Sequence, residues 1–133
     1  MRKACLLSLI MVLACTSSPQ SGEDKGLLEA SQAAERNYQH LLAGRYNDFL
    51  NGRAGADSMP SAYREQLITA YQEFMAQQRL SHGGLLSLQV SNARRDSTLG
   101  GLMQVFLVLS YADGTQEEIV VPMVEHNGEW KMK

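Results

Sequence analysis

Two dipeptides near the end of the chain, Asp113-Gly114 and Asn127-Gly128, constrain its fold more than any other feature. They separate three β-prone runs: 102–111, 115–125 and 129–132. Asx-Gly pairs supply the positive φ that tight hairpins need. The last third is therefore expected to be an antiparallel meander, closing on a strand that carries Trp130, the one tryptophan. Such a sheet needs something to pack against, and the preceding residues supply it.

From Gly26 onward, Leu27, Ala30, Ala34, Tyr38, Leu41 and Leu42 recur at helical spacing, with Glu29, Glu35, Arg36, Asn37 and Gln39 mainly between them. This predicts a helix from about Asp24 to Ala43, stopped by Gly44. A short helical piece follows at 45–52, with Tyr46, Phe49 and Leu50 on one side. After a loop to Ser58, a second long helix is expected over about Pro60 to Arg79, with Pro60 in its first turn. Tyr63, Leu67, Tyr71, Phe74, Met75 and Gln78 lie along one face of it. Ser81-His82-Gly83-Gly84 breaks the chain. Leu86, Leu88 and Val90 then alternate with Ser87, Gln89 and Ser91, the mark of a half-buried strand. The polar stretch 92–101 reads as a long hairpin connection. Helices gathered ahead of an antiparallel sheet give an α+β fold: two long helices and one short one packed on a curved four-stranded sheet.

The N-terminus follows another logic. Arg2 and Lys3 precede an apolar run from Ala4 to Ala14. Its 11 residues fall short of the about 20 that a spanning helix needs, and they fit the apolar region of a secretory leader. The run ends in Val12-Leu13-Ala14-Cys15, which resembles the lipobox of bacterial lipoproteins. That resemblance implies cleavage before Cys15, which would then carry diacylglycerol and an N-linked acyl chain such as palmitate. An ordinary secretory leader with an incidental cysteine is the other reading. Several acyl chains hold a protein to a bilayer far more firmly than one, at about 0.8 kcal/mol per buried methylene. Processing would remove Cys5 and leave Cys15 acylated, so no cysteine nucleophile or metal ligand is expected in the mature chain. Residues 1–14 thus read as the leader, 15–23 as lipidated cysteine and flexible tether, and 24–133 as one domain. Thr16, rather than Asp, after the cysteine resembles outer-membrane lipoproteins, which face either the periplasm or the surface. Glu23-Asp24 resembles acidic export signals of some Bacteroidetes lipoproteins.

Removing residues 1–14 takes away Arg2 and Lys3, leaving 10 basic against 14 acidic residues. A balance of −4 argues against a nucleic-acid partner, which favours a basic patch.

Tyr38-x-x-Leu41-Leu42-Ala43-Gly44-x-Tyr46-x-x-Phe49-Leu50 closing the first helix, and Gly128-Glu129-Trp130-Lys131-Met132 at the end, resemble the nuclear transport factor 2-like (NTF2-like, cystatin-like cone) superfamily, in particular its small bacterial lipoproteins. The resemblance covers about Leu27 to Met132. It implies a cone with helices in the concavity of a bent sheet, often a pocket at the open end, and in many members dimerisation through the sheet. Enzymes of that superfamily place acids, histidines and tyrosines inside the cone.

Here the inward positions are apolar. Met103, Val105, Leu107, Leu109 and Tyr111 share one strand face; Ile119, Val121 and Met123 share another, with Glu117 and Glu125 only at its ends. No acid–base pair is visible in the core. His40, His82 and His126 fall at a rim, a helix end and a hairpin tip, without metal-ligand spacing. No metal site or cofactor is called for. Tyr38, Tyr63, Tyr71 and Tyr111 are the candidate pocket-lining residues; the alternative is that they are core edges with hydroxyls in water. Strand 102–109 is apolar on both faces, so its second face needs a cover. That cover is either another subunit or strong curvature within one domain. Pro122, lacking an N–H, belongs at an edge or bulge. The expected function is a membrane-anchored binding or interaction module of the envelope, holding a small ligand or an envelope protein. The alternative is a small-molecule enzyme of proton-transfer or hydrolytic type with its site in the cone.

Overall fold

The computed structural model describes residues 22–98 and 100–133. Cys15 and the leader lie outside them. Helix α1 spans Gly22–Leu42, α2 Tyr46–Asn51 and α3 Ser61–His82, with a 3-10 turn at Ala56–Ser58 ahead of α3. Strands β1 (Leu85–Arg95), β2 (Met103–Tyr111), β3 (Gln116–His126) and β4 (Glu129–Met132) follow. They form one antiparallel meander in chain order. The chain thus adopts the expected α+β architecture.

The two Asx-Gly dipeptides make different turns. Asn127 and Gly128 both have positive φ, 52° and 78°, as a two-residue I′ hairpin requires. At Asp113-Gly114 only the glycine is left-handed, with φ 87°. Its N–H donates to the Tyr111 carbonyl at 3.0 Å, and the Tyr111 N–H donates to the Thr115 carbonyl at 2.9 Å. This is a type I turn closed by a left-handed glycine, the three-residue hairpin.

Along β2, Met103, Val105, Leu107, Leu109 and Tyr111 are all buried. Antiparallel register sets the first four beside Met123, Val121, Ile119 and Glu117 of β3. The alternation of the strand therefore holds, and α1 covers this face through Ala30, Ala33, Ala34 and Leu41. Small side chains let α1 approach closely: a Cβ at Gly26 would lie 3.3 Å from Met103 Cε. Each large aliphatic side chain buried here contributes about 1.5–3 kcal/mol.

Strand β1 departs from the simple reading. It runs through Asn92 to Arg95, where a polar connection was expected, and its register shifts between Leu85 and Ser87 and again between Val90 and Asn92. Each bulge inserts a residue and reverses the alternation. Leu85, Leu88, Val90 and Ala93 consequently pack on the core, whereas Leu86 is 63% exposed. The polar side chains of Asn92 and Arg94 stay wet within the strand. Pro122 meets its expectation: its carbonyl accepts the Lys133 N–H at 2.9 Å. Its nitrogen, on the same side of the strand, faces the edge where β4 runs out.

Candidate functional site

Helix α3 is fastened at both ends and stands off the sheet between them. At its start, Arg64 donates to the Ala56 carbonyl at 3.0 Å and to Asn51 Oδ1 at 2.8 Å. At its end, Gly83 takes φ 77° and caps the helix, its N–H donating to the Arg79 carbonyl. The N–H groups of Ala112 and Asp113 then donate to the carbonyls of Gly84 and His82 at 2.9 and 3.0 Å. Between these anchors only Met75 is buried. The stripe from Tyr63 to Gln78 does not seal onto the sheet, and the reason lies in the strands. Strand β4 pairs only with Met123–His126, so the first half of β3 has no strand on its outer side.

Between α3 and that open half of β3 lies a cleft of about 450 Å³. Its walls are Tyr38 and Leu41 of α1, Phe49 of α2, Tyr71 and Phe74 of α3, and Ile119 to Pro122 of β3. Phe49 joins the helices. Its ring meets Tyr38 edge-on at 5.1 Å and Tyr71 edge-on at 4.8 Å, contacts worth about 0.5–1.5 kcal/mol each beyond burial. Arg53 and Lys133 stand at one part of the lining and Glu117 at another. Glu117 precedes Pro122, the partner of Lys133, by five strand residues, about 17 Å. Among the described residues, the lining holds no serine, threonine, cysteine or histidine. A second groove, between α1 and the β3–β4 hairpin, is polar and lined by groups such as Glu29, Arg36 and Lys131. Among the described residues, no three His, Cys, Asp or Glu side chains gather closely enough to hold a metal ion.

Two phenols of this region, Tyr38 and Tyr111, are held protonated. Burial raises the Tyr38 pKa above its ordinary value, and the neighbouring Tyr71 adds to that, opposed by the Arg53 charge. Tyr111 is pushed up to about 12, first by burial and then by its hydrogen bond to Glu117 Oε2 at 2.9 Å. Tyr71 Oη is buried and has no hydrogen-bond partner among the described residues.

A solved structure described as an NTF2-like transpeptidase from Campylobacter jejuni matches this fold with a TM-score of 0.61. It does so at 8% identity, over 76% of this chain and 94% of that one. The fold is NTF2-like. At that identity the likeness concerns fold alone, and function has to be argued from the site. No family model and no curated protein matches the sequence.

Within the NTF2-like domain the four candidate tyrosines separate. Tyr38 and Tyr71 line the cleft. Tyr63, on the first turn of α3, is 45% exposed and does not line it. Tyr111 is buried beneath the hairpin, stacked on His82 at 4.7 Å, and reaches the cleft only through Glu117. The histidines sit at the periphery. His40 accepts a hydrogen bond from Arg45 Nε at 3.1 Å, His82 pairs with Asp113, and His126 is exposed at the β3–β4 hairpin. Sequence reasoning passed over Arg53, which follows the short helix α2, and treated Glu117 only as a strand end. Register agrees with that placement: Glu117 pairs with Leu109, so it shares the face that the helices cover.

Proposed function

We propose that this chain is a lipoprotein of the bacterial envelope, anchored through acylated Cys15 in the outer membrane, whose NTF2-like domain binds a small apolar ligand without transforming it. The observation that carries the reading is the composition of the α3–β3 cleft. Its walls are aromatic and aliphatic, and its size falls within the roughly 300–1,000 Å³ of small-molecule sites. Its polar groups suit recognition: the Tyr38 phenol, its pKa raised by burial, stays protonated as a hydrogen-bond donor.

An acyl-transfer reading, which the description of the Campylobacter protein invites, needs a nucleophile beside a base. Among the described residues, the cleft lining supplies no hydroxyl nucleophile other than phenols, and no thiol. A proton-transfer reading rests on Tyr111–Glu117, the one acid–phenol pair at the cleft. Glu117 is exposed there and already accepts the Tyr111 hydroxyl at 2.9 Å.

The sheet face turned away from the helices supports a further part of the proposal, a second copy of the chain as partner. Register brings Phe106 beside Val120, and Val108 and Pro122 share their face. Val120 is 50% exposed. Arg94 covers part of the stripe, its guanidinium carbon 5.1 Å from the Phe106 ring centroid.

Binding is tested by titrating the full chain with dodecanol, a neutral apolar probe, and following methyl resonances by NMR. Leu41, Ile119 and Val121 are expected to shift together and saturably. Unchanged cleft methyls would refute the binding reading.

A further inference from the structure

We infer that the ligand of the α3–β3 cleft is a carboxylate carried on an apolar body, a fatty-acid-like monoanion, with its head group seated at Arg53. The inference rests on the binding reading above and adds the chemical class of the ligand.

Charge complementarity carries it. Arg53 lines the cleft, and its guanidinium makes no ion pair or hydrogen bond with any described residue. It sits where the chain turns out of α2, fixed by the main chain: its N–H donates to the Leu50 carbonyl at 3.0 Å, and it bridges Met132 at the end of β4. Tyr38 stands close enough to Arg53 for the guanidinium charge to act on its phenol. Beside Tyr38, the Tyr71 hydroxyl is buried with no partner among the described residues. A buried hydroxyl without a partner is costly, so this corner favours an acceptor that takes hydrogen bonds from several donors at once. A carboxylate has two oxygens and about four acceptor positions, and it matches the planar fork of a guanidinium. The acid of the cleft, Glu117, stands about 17 Å along β3 from this corner, too far to neutralise it. Between the two ends the lining is Leu41, Phe49, Phe74, Ile119 and Val121, which offers nothing polar to a ligand and suits a hydrocarbon body.

The test is calorimetric titration of the full chain with dodecanoate and with dodecanol, each below its micellar concentration, using wild type and Arg53→Gln. Dodecanoate is expected to bind wild type about tenfold or more tightly than dodecanol, the scale of a hydrogen bond to a charged group. Arg53→Gln should remove most of that preference, and an unfolding midpoint within a few degrees of wild type shows that the variant is folded. Tyr71→Phe should weaken dodecanoate alone, by a few-fold. Equal affinity for the two probes in wild type overturns the carboxylate assignment and leaves the apolar-ligand reading standing. Failure of both probes to bind overturns both.

Discussion

His82, the last residue of α3, holds Asp113 of the β2–β3 turn at 2.8 Å between Nδ1 and Oδ2. Asp113 also accepts the Thr115 hydroxyl at 2.6 Å and the Thr115 N–H at 3.0 Å. These bonds, Thr115 first and then His82, hold the Asp113 carboxyl down to about 2 against an ordinary 3.8. A carboxyl depressed by folding stabilises the native state above its unfolded pKa and loses that effect as pH falls through the folded one. Stabilisation from Asp113 should therefore be complete above about pH 4 and fade towards pH 2. Thermal unfolding midpoints measured across that window should fall in the wild type. In Asp113→Asn they should start lower at neutral pH and lose part of the acid slope. Parallel curves would contradict this.

Gly52 and Asn37 give a steric prediction. Gly52 has φ −75°, which any residue adopts, yet a Cβ there would lie 2.5 Å from the buried Asn37 amide. Gly52→Ala should destabilise by about 1–3 kcal/mol, the usual scale of overpacking. Chemical denaturation checks this. In the Asn37→Ala background the same substitution should cost much less, because the obstructing amide is gone. Equal costs in the two backgrounds would mean that contact with Asn37 is not the cause.

The hairpins, the helix order and the inward face of β2 were legible because each depends on local rules: Asx-Gly turns, helical spacing and period-two alternation. Leu86 was not, because a bulge is an insertion in pairing and leaves no mark on one strand's own pattern. The cleft was half legible. Tyr38 and Tyr71 lie on recognisable helix faces, but the gap beside them exists because β4 pairs with only part of β3, and pairing length is a tertiary quantity. The solitary Arg53 could not be recognised in a sequence where arginines also serve as helix pins, as Arg64 does.

Sheet-mediated pairing makes a prediction separate from the cleft. Val108 faces away from the helices, beside Glu118. Sedimentation velocity should find the wild type as a dimer that Val108→Lys converts to monomer without lowering its unfolding temperature by more than a few degrees. A wild type that stays monomeric at high concentration ends the pairing proposal.

The proposed lipidation would fall on Cys15 alone, since no apolar run precedes Cys5. Cells fed labelled palmitate should incorporate it into the wild type and not into Cys15→Ala. Label persisting in the variant would exclude Cys15 as the acceptor.

The central claim is that the space between α3 and the open half of β3 is a ligand site. Intermolecular nuclear Overhauser effects from bound dodecanol test it most directly. The account predicts contacts from the alkyl chain to the methyls of Ile119 and Val121 and to the rings of Tyr38, Phe49 and Tyr71. Contacts confined to Phe106 and Val108 on the opposite sheet face, or none at all, would contradict it.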